Sequence, residues 1–337
     1  MKKQLYHIIK KLLTRQAAVL MYHRVATPRS DVWEIAVCPE NFEAHLQVLK
    51  KSYRVLSLAE LVHDVQNKSI KKNSVAITFD DGYVDNYEKA RPLLEKYQLP
   101  ATFFIASGYI DQGKEFWWDT LEQLFLFTPA LPAVFSLPLN EQLLEFHLEE
   151  EAHLSPALVQ KHQSWKACEE APPTQRAQLF YKVWEQLKPL PLPQIEQKIF
   201  AIKEWAGEPA TVDKAHCSMT LTQLQDLSRR LLFQIGAHTV SHPALAFHSP
   251  EVQQNELALN QSFLKTHTGQ DIDLLAYPYG NYNEVTRQVA TALQFKAAFT
   301  TEEKSIVKHS NLLSLARYQV KNWNGQHFED HLKHWLR

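Results

Sequence analysis

Short apolar runs recur along this chain, and helical patterns follow most of them. The runs fall at 17–22, 54–56, 75–79, 102–105, 233–237, 274–277, 297–300 and 315–320. Helix-like spacing fills 39–51, 58–65, 86–97, 250–268 and 283–293. Strand then helix, repeated seven or eight times, predicts an α/β fold, a distorted (β/α) barrel. A doubly wound open sheet is the alternative.

The alternation breaks once. From about 116 to 217 no clear strand is visible, and the stretch carries Trp117, Trp118, Trp165, Trp184 and Trp205 with a proline cluster at Pro189, Pro191 and Pro193. It is expected to be a helical insertion within a single catalytic domain covering 1–337. Insertions of this kind leave the barrel at its carboxyl face, where they shape a substrate entrance. Most of its tryptophans are expected in the core of a helical subdomain, with stacking on a ligand ring or a membrane interface as the alternatives.

Charge and cysteine content narrow the function classes. Thirty-six basic and 37 acidic side chains leave a net charge of -1, which argues against a dedicated nucleic-acid binder. Cys38, Cys168 and Cys217 stand far apart without a CxxC, so no disulfide framework is expected. Residues 1–15 are basic and lack the apolar core of a signal peptide, and no stretch reaches the ~20 apolar residues of a membrane span. Leu5, Ile8, Ile9, Leu12 and Leu13 have helical spacing among Lys2, Lys3, Lys10, Lys11 and Arg15. This reads as an amphipathic helix packed on the barrel, or alternatively lying on an anionic membrane surface. The expected location is the cytoplasm, with peripheral contact at the inner face of the membrane. The oligomeric state is not legible.

The chemistry sits at the ends of two apolar runs. Val75-Ala76-Ile77-Thr78-Phe79 ends in Asp80-Asp81-Gly82, and a later run ends in Gly236-Ala237-His238-Thr239-Val240-Ser241-His242. A buried parallel strand delivers such groups to its carboxyl end. Asp81, His238 and His242 make a facial set with open positions for one divalent metal ion, zinc first among several that such donors accept. Asp80, next to the ligand, can take the proton of an attacking water. Taken alone, Asp-Asp-Gly after a strand is often only a turn, and a histidine pair at i and i+4 would share a face if helical.

These segments resemble the first two motifs of the NodB-like polysaccharide deacetylases, carbohydrate esterase family four. Tyr277-Pro278-Tyr279-Gly280 resembles the third, and Leu20-Met21-Tyr22-His23, Pro100-Ala101-Thr102-Phe103-Phe104 and His242-Pro243-Ala244-Leu245 support the likeness, which covers roughly 17–110 and 218–335. The resemblance implies Asp80 as base, Asp81 with the two histidines as metal ligands, and the backbone N–H of Tyr279 as an oxyanion donor. Two features depart from the family pattern. Leu275 and Ala276 stand where an arginine usually steadies the base, and Arg317 on the last strand is the candidate to replace it. The late Leu-x-x-His that often supplies the general acid is absent from 313–320; His309 precedes the strand, and His23 at the end of the first run is the stand-in.

The resemblance implies a metal-dependent hydrolase that removes an N-acetyl or N-formyl group from an amino sugar. The substrate is expected to be a glycan or precursor of surface-polysaccharide assembly, lipid- or nucleotide-linked. The alternative is a catalytically silent carbohydrate-binding protein on the same fold.

Overall fold

The strands run in chain order β1 Gln16–Tyr22, β2 Arg24–Val25, β3 Ala36–Val37, β4 Arg54–Val55, β5 Ser74–Phe79, β6 Ala101–Ile105, β7 Val134–Leu139, β8 Gln142–His147, β9 Phe233–Ala237, β10 Leu274–Ala276, β11 Ala297–Phe299, β12 Ile306–Val307 and β13 Tyr318–Gln319. This computed structural model describes residues 15–139, 142–207 and 213–336. The amphipathic pattern read in residues 1–15 therefore lies outside the described residues, apart from Arg15.

The main sheet has the order β11-β10-β9-β6-β5-β1-β12, with β4 beside β5 and β13 beside β1. All its pairings are parallel except that of β12 with β1. The sheet curls. Leu315 bridges to Phe299 of β11, and three residues later β13 pairs with β1, so one segment spans the two sides of the curl. This is the distorted barrel expected from the alternation, and all eight apolar runs lie in or beside its strands.

The apolar runs become strands because both faces can be buried. Along β1, Ala18, Leu20 and Tyr22 join one hydrophobic cluster with helix residues such as Phe42, Leu46 and Leu94. Ala17 and Val19 turn to a second cluster with Ala76, Phe104, Ala276 and Phe299. This is the period of two of an extended chain. Gly236 is required by the second packing: a Cβ there would lie 2.4 Å from the Phe104 ring. Helices follow with defined starts. Ser57 and Glu60 form a reciprocal cap for Leu58–Gln66, and Ser249 caps Pro250–Thr268.

Two compact units are distinguishable. One comprises the described residues up to Thr27, Ile35–Asp111 and those from Met219 on; it holds the curled sheet. The other comprises Pro28–Glu34 and Gln112–Ser218. The second unit is mainly helical, with Pro156–Ser164, Gln175–Leu187 and Leu192–Ala206, but it also contains the antiparallel hairpin β7-β8. The sequence reading has no strand there. Trp117, Trp118 and Trp165 are buried in it, whereas the Trp205 indole N–H donates to Val134 O of the hairpin. No described helix is long and apolar enough to cross a membrane.

Candidate active site

Parallel register brings the chemistry to one rim. Tyr22 is level with Phe79, Phe79 with Phe103, Ile105 with Ala237, and Ala237 with Leu275. The next residues, His23, Asp80 and His238, therefore emerge together at the carboxyl ends of β1, β5 and β9.

Asp80 is buried, and Arg317, itself with no exposure, holds it from β13's approach. The guanidinium donates twice, Nη1 to Oδ1 at 2.7 Å and Nη2 to Oδ2 at 2.6 Å. Arg317 is fixed in turn through Nε to Thr300 O at 3.1 Å and Nη1 to Thr78 Oγ1 at 3.3 Å. Burial pushes the Asp80 carboxyl up, but Arg317, with His238 and His23, more than offsets it and holds it below the usual carboxylate range. Each carboxylate oxygen keeps a second lone pair, so the bidentate pair leaves Asp80 able to accept a proton. Arg317 thus occupies, from the opposite end of the chain, the place for which Leu275 and Ala276 offer no donor.

Asp81 turns the other way, at a φ of 71°, with Gly82 following at 86°. Its Oδ1 lies 3.3 Å from His238 Nε2 and 3.2 Å from His242 Nε2. Neither approach has hydrogen-bond alignment, and that buried oxygen has no donor of its own. His238 Nδ1 lies 2.8 Å from the Ala276 carbonyl, which fixes the tautomer with the proton on Nδ1 and a lone pair on Nε2. Burial pushes His242 down, against the pull of Asp81. Each of these three buried residues offers one potential ligand atom, and the three atoms all lie within 4.8 Å of one another. This donor set fits a divalent cation.

The histidine pair is not helical. Thr239 and His242 are both left-handed, at φ 65° and 59°, and a helix starts only at Pro250. Thr239 Oγ1 accepts from the His242 N–H at 3.0 Å, closing the loop on itself. Glu256 and Asn260 of the helix Pro250–Thr268 also reach this loop. Neither is foreseen by the motifs. A signal existed: Gln253, Leu257, Asn260 and Leu264 form the buried stripe of that helix, and two of the four are polar.

Tyr279 is left-handed at φ 57°, and its ring meets the His242 ring edge-on at 4.5 Å between centroids. A side chain on the next residue, Gly280, would collide with Thr301, so the turn needs glycine there. His23 is half-buried, and its Nδ1 is buried without a partner. Asn86 Nδ2 donates to the His23 carbonyl at 2.7 Å, and Asp85 beside it pairs with Arg24 at 3.0 Å. His309 is exposed and follows β12, which pairs with Gln16 and Ala17 at the other end of β1 from His23.

A family model described as polysaccharide deacetylase matches residues 67–126 and 186–298, together about half of the chain. The chain belongs to the polysaccharide deacetylase family. The matched segments contain Asp80, Asp81, His238, His242 and Tyr279, whereas His23 and Arg317 lie outside them. Bacillus subtilis YxkH is 22% identical over 304 residues, covering 90% of this chain and 70% of that protein. The poly-beta-1,6-N-acetyl-D-glucosamine N-deacetylase of Staphylococcus aureus is 31% identical over 118 residues, 31% of this chain and 41% of that protein. The Streptococcus pyogenes deacetylase PplD, solved in complex with acetate, shares the fold with a TM-score of 0.58 at 22% identity, over 96% of this chain and 99% of that one.

Proposed function

We propose that this deacetylase-family protein is a metal-dependent N-deacylase of an N-acetylated amino sugar in a surface polysaccharide or its precursor. One observation carries the reading: a buried carboxylate held by a bidentate arginine stands next in sequence to a buried Asp-His-His donor set. The Staphylococcus aureus relative, named for an N-acetylglucosamine polymer, supports an amide on an amino sugar as the bond cleaved.

A bound divalent ion, zinc being our choice for two imidazoles and a carboxylate, would supply Lewis acidity to the acyl oxygen and the attacking water. Asp80 takes the water's proton, and Arg317 keeps that carboxylate ionised and oriented. The Tyr279 N–H donates to the oxygen that gains charge as the tetrahedral centre forms, a contribution typically worth ~3 kcal/mol. The C–N bond then breaks, the amine accepts a proton from His23, and the carboxylate product leaves.

The test is release of acetate and formate from free, nucleotide-linked, lipid-linked and polymeric N-acyl amino sugars, with metal removed and restored. Asp80→Asn is expected to retain metal and lose at least ~100-fold in turnover, the usual size of a general-base contribution. Near-normal turnover in that variant would exclude Asp80 as the base. The absent Leu-x-x-His motif favours one rival, a silent carbohydrate-binding protein; metal-loaded wild type that binds the sugars and releases no acid from any of them would establish it.

A further inference from the structure

Helix Pro250–Thr268 starts eight residues after His242 and sends two side chains, one turn apart, back to the loop that carries both histidines. The Glu256 carboxylate accepts three donors from it: the Val240 N–H at 2.9 Å, the Ser241 N–H at 2.8 Å and the Ser241 hydroxyl at 2.6 Å. Asn260, with no exposure, accepts from the His238 N–H at 3.2 Å through Oδ1. Its Nδ2 faces the Thr239 carbonyl, the Ile105 carbonyl and the Ser107 hydroxyl. Four consecutive residues, 238 to 241, are therefore tied to one rigid helix.

That loop holds two non-glycine residues in left-handed conformations, Thr239 and His242, which residues with a side chain rarely adopt. Left free, it would relax and swing the imidazoles away from Asp81. Three donors converging on one carboxylate over-determine the strained form, since ionised acceptors make the stronger hydrogen bonds. We propose that Glu256 and Asn260 are positioning residues that preorganise His238 and His242, so that metal affinity is set from a helix that touches neither ring. Resting on the metal reading above, this assigns a task to residues outside the ligand set.

The probe is Co2+, with affinity read by chelator competition, geometry by the visible spectrum of the bound ion, and loop order by amide exchange across 238–242. Glu256→Gln keeps the shape but loses the charge and one acceptor. It is expected to weaken Co2+ by 10–100-fold, the range typical of lost outer-shell support, with an altered spectrum and faster exchange at Val240 and Ser241. Its KM should stay near wild type, and saturating Co2+ should recover most of kcat. Ser241→Ala removes only the hydroxyl contact, threatens folding least, and is expected to weaken Co2+ by about 3–10-fold within the same outer-shell range. Leu259→Ala, at an exposed position of the same helix, should match wild type. Wild-type affinity and spectrum in both Glu256→Gln and Ser241→Ala would overturn the clamp alone. Failure of the wild-type protein to take up Co2+ would overturn the metal reading and the clamp with it.

Discussion

Among the described residues each compact unit buries one arginine completely, and the two use their donors differently. Arg317, in the unit that holds the sheet, puts both terminal nitrogens on the Asp80 carboxylate. Arg176, in the other unit, donates to four backbone carbonyls: Glu151, Phe125, Thr128 and Ala152. Burial lowers its pKa to about 10, with only the Glu151 charge acting the other way. One guanidinium holds a buried carboxylate at the candidate site; the other ties backbone carbonyls at the ends of helices and turns, of which Ala152 O also accepts from the Leu131 N–H. Burial and residue type are the same in both. Only the acceptor distinguishes the two.

The comparison is broken most severely at Arg317. Removing one partner of a buried ion pair strands the other charge, at a cost of about 3–5 kcal/mol. Arg317→Ala is therefore expected to lower the denaturation midpoint and to reduce turnover by about 100-fold or more through its base. The sign of the pH effect follows from Asp80. With the arginine gone, burial is less opposed and the carboxyl pKa rises, so the acidic limb of kcat/KM should move to higher pH. The same pair stabilises the fold above the unfolded carboxylate pKa, and that contribution fades as pH falls through the depressed folded value. An unshifted acidic limb in a folded Arg317→Ala protein would sever Arg317 from the base. His23→Ala offers a contrast at the same rim. It should slow amide cleavage far more than cleavage of an activated aryl acetate, whose leaving group departs without a proton, whereas Arg317→Ala should slow both alike. Equal losses on both substrates for His23→Ala would leave another group as the acid.

Arg176→Met should act on stability alone. It removes a donor from four buried carbonyls; Ala152 O keeps the Leu131 N–H, and roughly 1 kcal/mol for each of the other three gives an expected loss of at least about 3 kcal/mol. Denaturant titration checks the size. In whatever fraction remains folded, the acidic limb of the pH profile should keep its wild-type position. A shift there would show that the two arginines are less separate in role than their acceptors imply.

The two units also differ in how much of them the sequence discloses. The barrel strands were legible because parallel strands buried on both faces are near-continuous apolar runs, as Val75 to Phe79 is apart from Thr78. Asp80, Asp81, His238 and His242 were legible because they end such strands. Arg317 was only a candidate: 237 positions separate it from Asp80, and nothing local tells which acceptor sheet closure will put in its reach. The loop conformation was hidden as well. Histidines at i and i+4 suggest a helix, and it is the side chains of Thr239, Glu256 and Asn260 that hold a different backbone. In the second unit the hairpin is not legible because β7, although as long as β5, contains Pro138 and exposes alternate residues, so it lacks the unbroken apolar run of a barrel strand.

The smallest expected effect lies at Glu122, which inverts the logic of Asp80. Both are buried acids, but Asp80 has an arginine and Glu122 has none. Its partner is the Ser30 hydroxyl, which donates to Oε1. Burial raises its pKa from 4.5 to about 7, and the Asp119 and Asp31 charges push the same way, against Ser30 and His216. A raised carboxyl pKa means that the folded state holds the proton more tightly than the unfolded state between those two values. Stability must therefore fall as pH rises from about 4.5 to about 7, and then level off, with a total loss on the order of 2–3 kcal/mol. Glu122→Gln keeps an acceptor for Ser30 and removes the titration. It should match wild type near pH 5 and exceed it at pH 8, with a flatter curve of unfolding free energy against pH. Asp80→Asn should do the reverse at pH 8, because it discards a favourable charge pair with Arg317 rather than an unfavourable lone charge. If Glu122→Gln and wild type give parallel curves from pH 5 to 8, water or a nearby cation already compensates Glu122, and the contrast between the two buried acids fails.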